Sequence, residues 1–203
     1  MPTSRARAKP ADRYHHGDLR AALLREAGRV LASAGPEALS LRELARALGV
    51  SHNAPYKHFA NRDALLAALA TEGFRELTAD GQEAAANAAP GETRRARALA
   101  YIRFALRRPA VFKLMFSRDV SGRAHAELGE AARTGFFALR QAVAGDATDR
   151  AANDTALAAW AFVHGIAHLL VDRQIPEALG AGRDPEELAR ALMEAFGRPR
   201  RAG

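Results

Sequence analysis

The stretch Ser40-Leu-Arg-Glu-Leu-Ala-Arg-Ala-Leu-Gly-Val-Ser-His-Asn-Ala-Pro-Tyr-Lys-His-Phe59 decides how this chain of 203 residues is read. Ser40 and Glu43 have the spacing of a capping box, in which the hydroxyl accepts from one unpaired N–H and the carboxylate reaches back to another. Leu41, Leu44, Ala45 and Leu48 then share one helical face. Gly49 suits a left-handed turn that strains other residues. Ala45 is small where the next helix must cross, and Val50 plugs the turn from beneath. Ser51 can cap a third, short helix running to about His58. Two short helices joined at a glycine have the spacing of a helix-turn-helix.

The third helix presents Ser51, His52, Asn53, Ala54, Tyr56, Lys57 and His58, a hydrogen-bonding surface instead of an apolar one. Asn and His can read base edges, while Tyr, Lys and a helix N-terminus suit phosphates. Pro55 sits in the first turn after Ser51, where a missing N–H is tolerated, and stiffens the segment. Phe59 is read as core, and His58 suits packing as well as DNA.

Working outward, Asn61 caps a fourth helix with Leu65, Leu66, Leu69 and Leu77 on its apolar face. Upstream, Leu19 to Ala34 carries a helical stripe that Gly35-Pro36 stops. Downstream, the Ala, Gly and Asn-rich residues 80–93 end helix four. Further helices are predicted at about 93–107, 109–117, 123–145, 150–173 and 185–197. The last opens on Asp184-Pro-Glu-Glu, a capping acid followed by proline and acids at the positive helix end. Alanine and leucine dominate, and aromatics reach only 6%. The fold class is therefore all-α, an N-terminal tri-helical helix-turn-helix domain plus a C-terminal helical bundle, about nine helices in all. The expected domains are a flexible basic arm (1–16), a DNA-binding domain (17–77), and a ligand-binding and dimerisation domain (78–203).

The net charge is +7, and five of those charges fall in residues 1–75. A basic balance suggests a polyanionic partner, nucleic acid first and an anionic membrane second. An arginine-rich coding bias accounts for part of it, so charge alone does not decide. With no cysteine there is no disulfide, thiolate metal site or cysteine nucleophile. Met1 to Pro10 is basic but is not followed by a signal-length apolar run, and no stretch is read as a membrane span. The expectation is a soluble, cytoplasmic protein that does not engage a membrane. His164 and His168 stand one turn apart, but no neighbouring Glu or Asp completes a zinc motif. No metal, cofactor or catalytic residue is expected, and the chain is not read as an enzyme.

The segments Ser40-Leu-Arg-Glu-Leu-Ala, Leu48-Gly-Val-Ser, Tyr56-Lys-His-Phe and Asn61-Arg-Asp-Ala-Leu-Leu together resemble the N-terminal domain of TetR-family regulators over about Tyr14 to Leu77. The resemblance implies a homodimeric repressor that leaves a palindromic operator in double-stranded DNA when a small-molecule inducer binds its C-terminal domain. It implies that His52, Asn53 and Ala54 face the major groove, beside Ser51. Ser40, Arg42, Tyr56, Lys57 and His58 would hold phosphates, with Arg62 serving where the family usually has lysine. Ala54-Pro55 departs from the family's commoner sequence, so base preference is not carried over. Tyr14-His-His-Gly-Asp-Leu-Arg, Arg108 to Phe116 and Trp160-Ala-Phe-Val-His-Gly165 resemble the subgroup named for its Trp, His and Gly.

Helix 150–173 is apolar on two stripes, Leu157/Trp160/His164/Ala167/Val171 and Ala158/Ala161/Phe162/Gly165/Leu169, so it must be buried on several sides. Leu188, Leu192 and Phe196 give the last helix a single stripe. Helices 150–173 and 185–197 are the expected dimer contact at a two-fold axis. A pocket is expected among Phe104, Phe112, Met115, Phe116, Phe136, Phe137, Trp160 and His164. The alternatives are an activator or ligand-independent regulator, and, in a different class, an enzyme or carrier on the C-terminal bundle.

Overall fold

The computed structural model describes residues 16–180 and 182–197. Among them are nine α-helices, two 3₁₀ helices and no strand. They are α1 (His16–Ala34), α2 (Leu41–Ala47), α3 (Arg62–Ala86), α4 (Thr93–Arg107), α5 (Pro109–Met115), α6 (Ala126–Ala144), α7 (Arg150–Val171), α8 (Glu177–Gly180) and α9 (Pro185–Gly197). The 3₁₀ helices are Pro36–Ala38 and Ala54–Lys57. The basic arm expected over 1–16 lies outside the described residues, apart from His16 at the start of α1.

The caps follow from the residues that make them. Gly35 takes φ 79° and ends α1, and Gly49 takes φ 66° in the turn after α2. Ser40 Oγ accepts from Glu43 N at 3.5 Å, which satisfies one of the orphan donors of α2. The reciprocal half of the capping box is replaced, because the Glu43 carboxylate pairs with Arg46 one turn on. Asn61 and Asp149 cap α3 and α7, accepting from Ala64 N at 2.9 Å and Ala152 N at 2.8 Å. Asp184 accepts from both Glu186 N and Glu187 N, at 2.9 and 3.0 Å.

Two sequence expectations change here. The third helix is a 3₁₀ segment, Ala54–Lys57, whose N-cap is Asn53 instead of the expected Ser51, and Ser51 contributes only its carbonyl, which accepts from Ala54 N at 2.9 Å in the preceding turn. Pro55 cannot donate an α-helical bond, so the segment closes on tighter bonds such as Tyr56 N to Asn53 O at 3.2 Å. Helix α3 runs through the Ala/Gly/Asn-rich stretch to Ala86, giving 25 residues and about 37 Å of continuous rod. Its weak formers, Thr78 and Gly81, are carried by packing against α4 and α6, which outweighs a propensity cost of about 1 kcal/mol for a glycine.

One continuous core links both ends of the molecule. Leu23, Leu31, Leu44, Phe59, Leu65 and Leu69 fill the helix-turn-helix end; Ile102, Phe104, Phe112, Val163 and Ile166 fill the bundle. Helices α4 and α6 pack on the C-terminal half of α3 and α7 packs on both of them, while α5 touches α1, α3 and α4. Asp172 meets Lys113 Nζ at 2.5 Å and His168 Nδ1 at 3.5 Å, fastening the end of α7 to α5.

Helix α7 also corrects the expectation that no stretch has the length and apolarity of a membrane span. It is 22 residues long and contains an 18-residue stretch with a mean hydropathy of 1.3, sufficient by length and composition. Ala152, Ala156, Val163, Ile166 and Ala167 bury one face against the bundle. Leu157 and Leu169 stand 51% and 41% exposed on another face, separated by Ala161 and Gly165 at four-residue intervals. A Cβ built on Gly165 meets nothing within 4 Å, so nothing inside the subunit requires that glycine.

Candidate functional site

At one end of the molecule, α2 and the 3₁₀ segment form a raised polar surface. Pro55 and Phe59 are buried and anchor the segment, while Ser51, His52, Asn53, Tyr56 and Lys57 are exposed together. Val50 N donates to Ala45 O at 3.0 Å, which locks the turn that sets this segment against α2. Arg42 is exposed, Ala54 is half-buried, and Ser40 keeps its hydroxyl proton free of the cap it accepts. Ten residues were singled out from the sequence, and two stand apart. His58 is half-buried, and its Nε2 is shut from solvent without a partner among the described residues, so its ring packs inward. Arg62 turns back to donate to Pro36 O at 2.8 Å, with Glu37 at 3.5 Å. It positions the start of α3 against the Pro36 turn instead of reaching outward.

At the other end, α3, α4, α6 and α7 enclose a mostly apolar cavity of about 1130 Å³. Phe116, Phe136 and Trp160 line it. The other pocket candidates lie elsewhere. Phe104, Phe112 and Met115 are core, at 0, 0 and 5% exposure, and Phe137 faces outward beside Arg140. His164 stands behind the wall rather than in it. A second, shallower cleft of about 670 Å³ is lined by charged residues that are largely paired, such as Arg107 with Asp80 at 2.7 Å, and suits no apolar ligand.

A directed chain of hydrogen bonds lies at the aromatic end of the cavity. Trp160 Nε1 donates to Tyr101 Oη at 3.3 Å, and Tyr101 Oη stands 2.7 Å from His164 Nδ1. An indole only donates, so the tyrosine accepts from it and keeps its own proton available for Nδ1, an arrangement that a neutral His164 with its proton on Nε2 completes. Burial, followed by repulsion from His168, lowers the His164 pKa from 6.5 to about 4. Burial also raises the Tyr101 pKa, keeping that hydroxyl protonated. Between these two His164 values the unfolded chain binds more protons, so this contribution is whole above pH 6.5 and fades as pH falls towards 4. Chemical denaturation at pH 7 and pH 5 is expected to show a loss of stability at the lower pH that His164→Asn reduces. An unchanged difference between the two pH values in the variant would contradict the neutral assignment.

The two ends are mechanically joined. Arg62 to Leu69 of α3 pack in the helix-turn-helix end, while Phe74, Leu77 and Thr78 of the same rod line the cavity. Between them, a Cβ on Gly73 would come 2.6 Å from Met115 Sδ and 2.8 Å from Val111 Cγ1, so α5 lies directly on α3. Phe116 then carries the chain from α5 into the cavity wall.

Sequence reasoning missed Tyr101, Phe74, Leu77 and Thr78. The signal for Tyr101 was present in Arg94, Arg97, Ala98 and Tyr101, spaced to share one face of α4. The α3 residues fall within the expected fourth helix, but which part of its face meets a cavity instead of core depends on where α4 and α6 lie, which spacing does not show. Among the described residues no group of three or more potential metal ligands comes together.

Comparison with known proteins agrees with this arrangement. Residues 23–69 match the family described as bacterial regulatory proteins, tetR family, and residues 94–196 match the tetracyclin repressor-like, C-terminal domain. A protein of unknown function from Rhodococcus sp. RHA1 is 37% identical with a TM-score of 0.77, over 92% of this chain and 97% of that one. The TetR family transcriptional regulator PfmR from Thermus thermophilus shares the fold at 24% identity and a TM-score of 0.64, over 89% and 99%. A TetR/AcrR family regulator from Thermobifida fusca does so at 21% and 0.66, over 91% and 100%. No curated protein matches the chain. With its helix-turn-helix, its helical C-terminal half and matches over both, the chain belongs to the TetR family of DNA-binding bacterial transcriptional regulators.

Proposed function

We propose that this regulator is a cytoplasmic homodimeric repressor, released from a palindromic operator when a small molecule fills the cavity. The observation that carries the reading is α3, one rod that is both the scaffold of the recognition segment and a wall of the cavity. A ligand that shifts the lower half of such a rod tilts the upper half, and altered spacing between two recognition segments costs DNA affinity. Residues 17–77 then act as the DNA-binding unit, and residues 78–203 as the ligand-binding and dimerisation unit. His52, Asn53 and Ala54 read base edges, with Ser51 at the segment's start. Ser40, Arg42, Tyr56 and Lys57 hold phosphates. Leu157, Ala161, Gly165 and Leu169 of α7, with Phe196 of α9, supply the two-fold contact. Footprinting on the DNA upstream of its own gene, at several salt concentrations, tests this reading. A protected palindrome with steep salt dependence is the expected result. Protection without sequence preference, or none at low salt, would overturn it.

A further inference from the structure

The walls of the cavity are apolar, yet Arg94, Arg95, Arg97 and Glu194 border it. Glu194 is taken by Arg95. Arg97 is half-buried one turn before Tyr101, and among the described residues no carboxylate lies within ion-pair distance of it. Its Nε is shut from solvent with no acceptor among those residues, and the same holds for Arg95 Nε. Burying a cation and its N–H groups beside apolar surface without compensation is costly, and a guanidinium always stays charged. Its fixed fork of donors matches the paired oxygens of an acidic group.

We propose that the cavity takes an amphipathic acid, with its acidic head on Arg97 and its apolar body lying between α3, α6 and α7 towards Trp160. This rests on the reading of the cavity as a ligand site and adds the chemical class of the ligand. Arg94, exposed on the same face of α4, adds positive charge at the mouth. A neutral molecule of the same shape leaves Arg97 unpaired, and a cationic one meets repulsion.

The chain holds one tryptophan, and Trp160 lines the cavity, so its emission reports occupancy directly. The full-length protein is titrated with dodecanoate, dodecanol and dodecyltrimethylammonium, each below its micelle concentration. Dodecanoate is expected to give a saturable change at least about tenfold tighter than dodecanol, as one charge-assisted contact supplies. Arg97→Gln is expected to bring the acid to within about threefold of the alcohol and leave the alcohol unchanged. Arg118→Gln, an exposed arginine outside the cavity, should alter neither. Circular dichroism checks that Arg97→Gln remains folded, and the comparison of probes on the unaltered protein needs no variant. Equal affinity for acid and alcohol, no saturable response to the acid, or an acid affinity indifferent to Arg97→Gln overturns the proposal. If dodecanoate binds through Arg97 but leaves the operator complex intact, the ligand class stands and inducer release fails. If a neutral ligand displaces the operator and acids do not bind, the reverse holds.

Discussion

Phe112→Ala is expected to lower the unfolding free energy by about 3–5 kcal/mol, as truncation of a fully buried aromatic does when its surroundings cannot collapse. Phe112 has no exposed surface, and its ring centroid lies 5.8 Å from Tyr101, 5.4 Å from Phe116 and 5.0 Å from His168. It therefore ties α4, α5 and α7 together at one point. These neighbours are stiff rings on α4, on α7 and at the end of α5, so little of the resulting void can close. Urea denaturation followed by circular dichroism measures the effect. A change below about 1 kcal/mol would show that the aromatic junction is not the rigid centre of the bundle. The same substitution loosens the packing behind Tyr101 and His164, so the hydrogen-bonded chain at the cavity should lose its fixed geometry as well.

Leu157→Asp is expected to produce the second large effect, conversion of the dimer to monomer together with loss of operator binding. Leu157 lies half exposed on the outer stripe of α7, and Phe196 of α9 is 73% exposed while stacking at 4.2 Å on Phe162. Large apolar side chains left in water on adjacent helices mark an interaction surface. A carboxylate placed on both copies of an isologous contact meets its own symmetry mate, so the penalty appears twice. Sedimentation velocity is the measurement, with the unaltered protein expected as a dimer. A monomeric unaltered protein would overturn the two-fold contact, and a Leu157→Asp variant that stays dimeric would move it away from this face. Because the substituted position is exposed within the subunit, thermal stability at low concentration should change little.

Much of this molecule was legible from residue spacing. The capped α2, the glycine turn at Gly49 and the start of α9 at Asp184 are local signals, set by hydrogen bonds between neighbours in the chain. They survive into the structure because nothing distant competes with them. The reciprocal bond of Glu43 did not survive, since Arg46 lies equally near and carries charge. The length of α3 was hidden because Thr78, Asp80 and Gly81 interrupt its C-terminal half, and the contacts with α4 and α6 that carry the helix through them show in no local pattern. Pocket lining was harder still. Phe112 and Phe116 are four residues apart in one run, yet one is core and the other faces the cavity. That difference depends on where α7 lies, which is long-range information. Arg62 misled for a related reason. A basic residue opening a helix beside the recognition segment suggests phosphate, but in the structure its guanidinium donates to the carbonyl of Pro36.

The claim that the 3₁₀ segment reads DNA sequence is tested most directly by comparing Asn53→Ala with Lys57→Ala. Binding is measured by fluorescence anisotropy on a duplex carrying the footprinted site and on a scrambled duplex of equal length, at several salt concentrations. Lys57→Ala should weaken both duplexes by a similar factor and reduce the salt slope by about 1, as loss of one phosphate contact does. Asn53→Ala should cost roughly 10- to 100-fold on the specific site, the worth of about 1–3 kcal/mol of base readout, and little on the scrambled duplex. Equal weakening of both duplexes by Asn53→Ala, or failure of the unaltered protein to distinguish them, would contradict it.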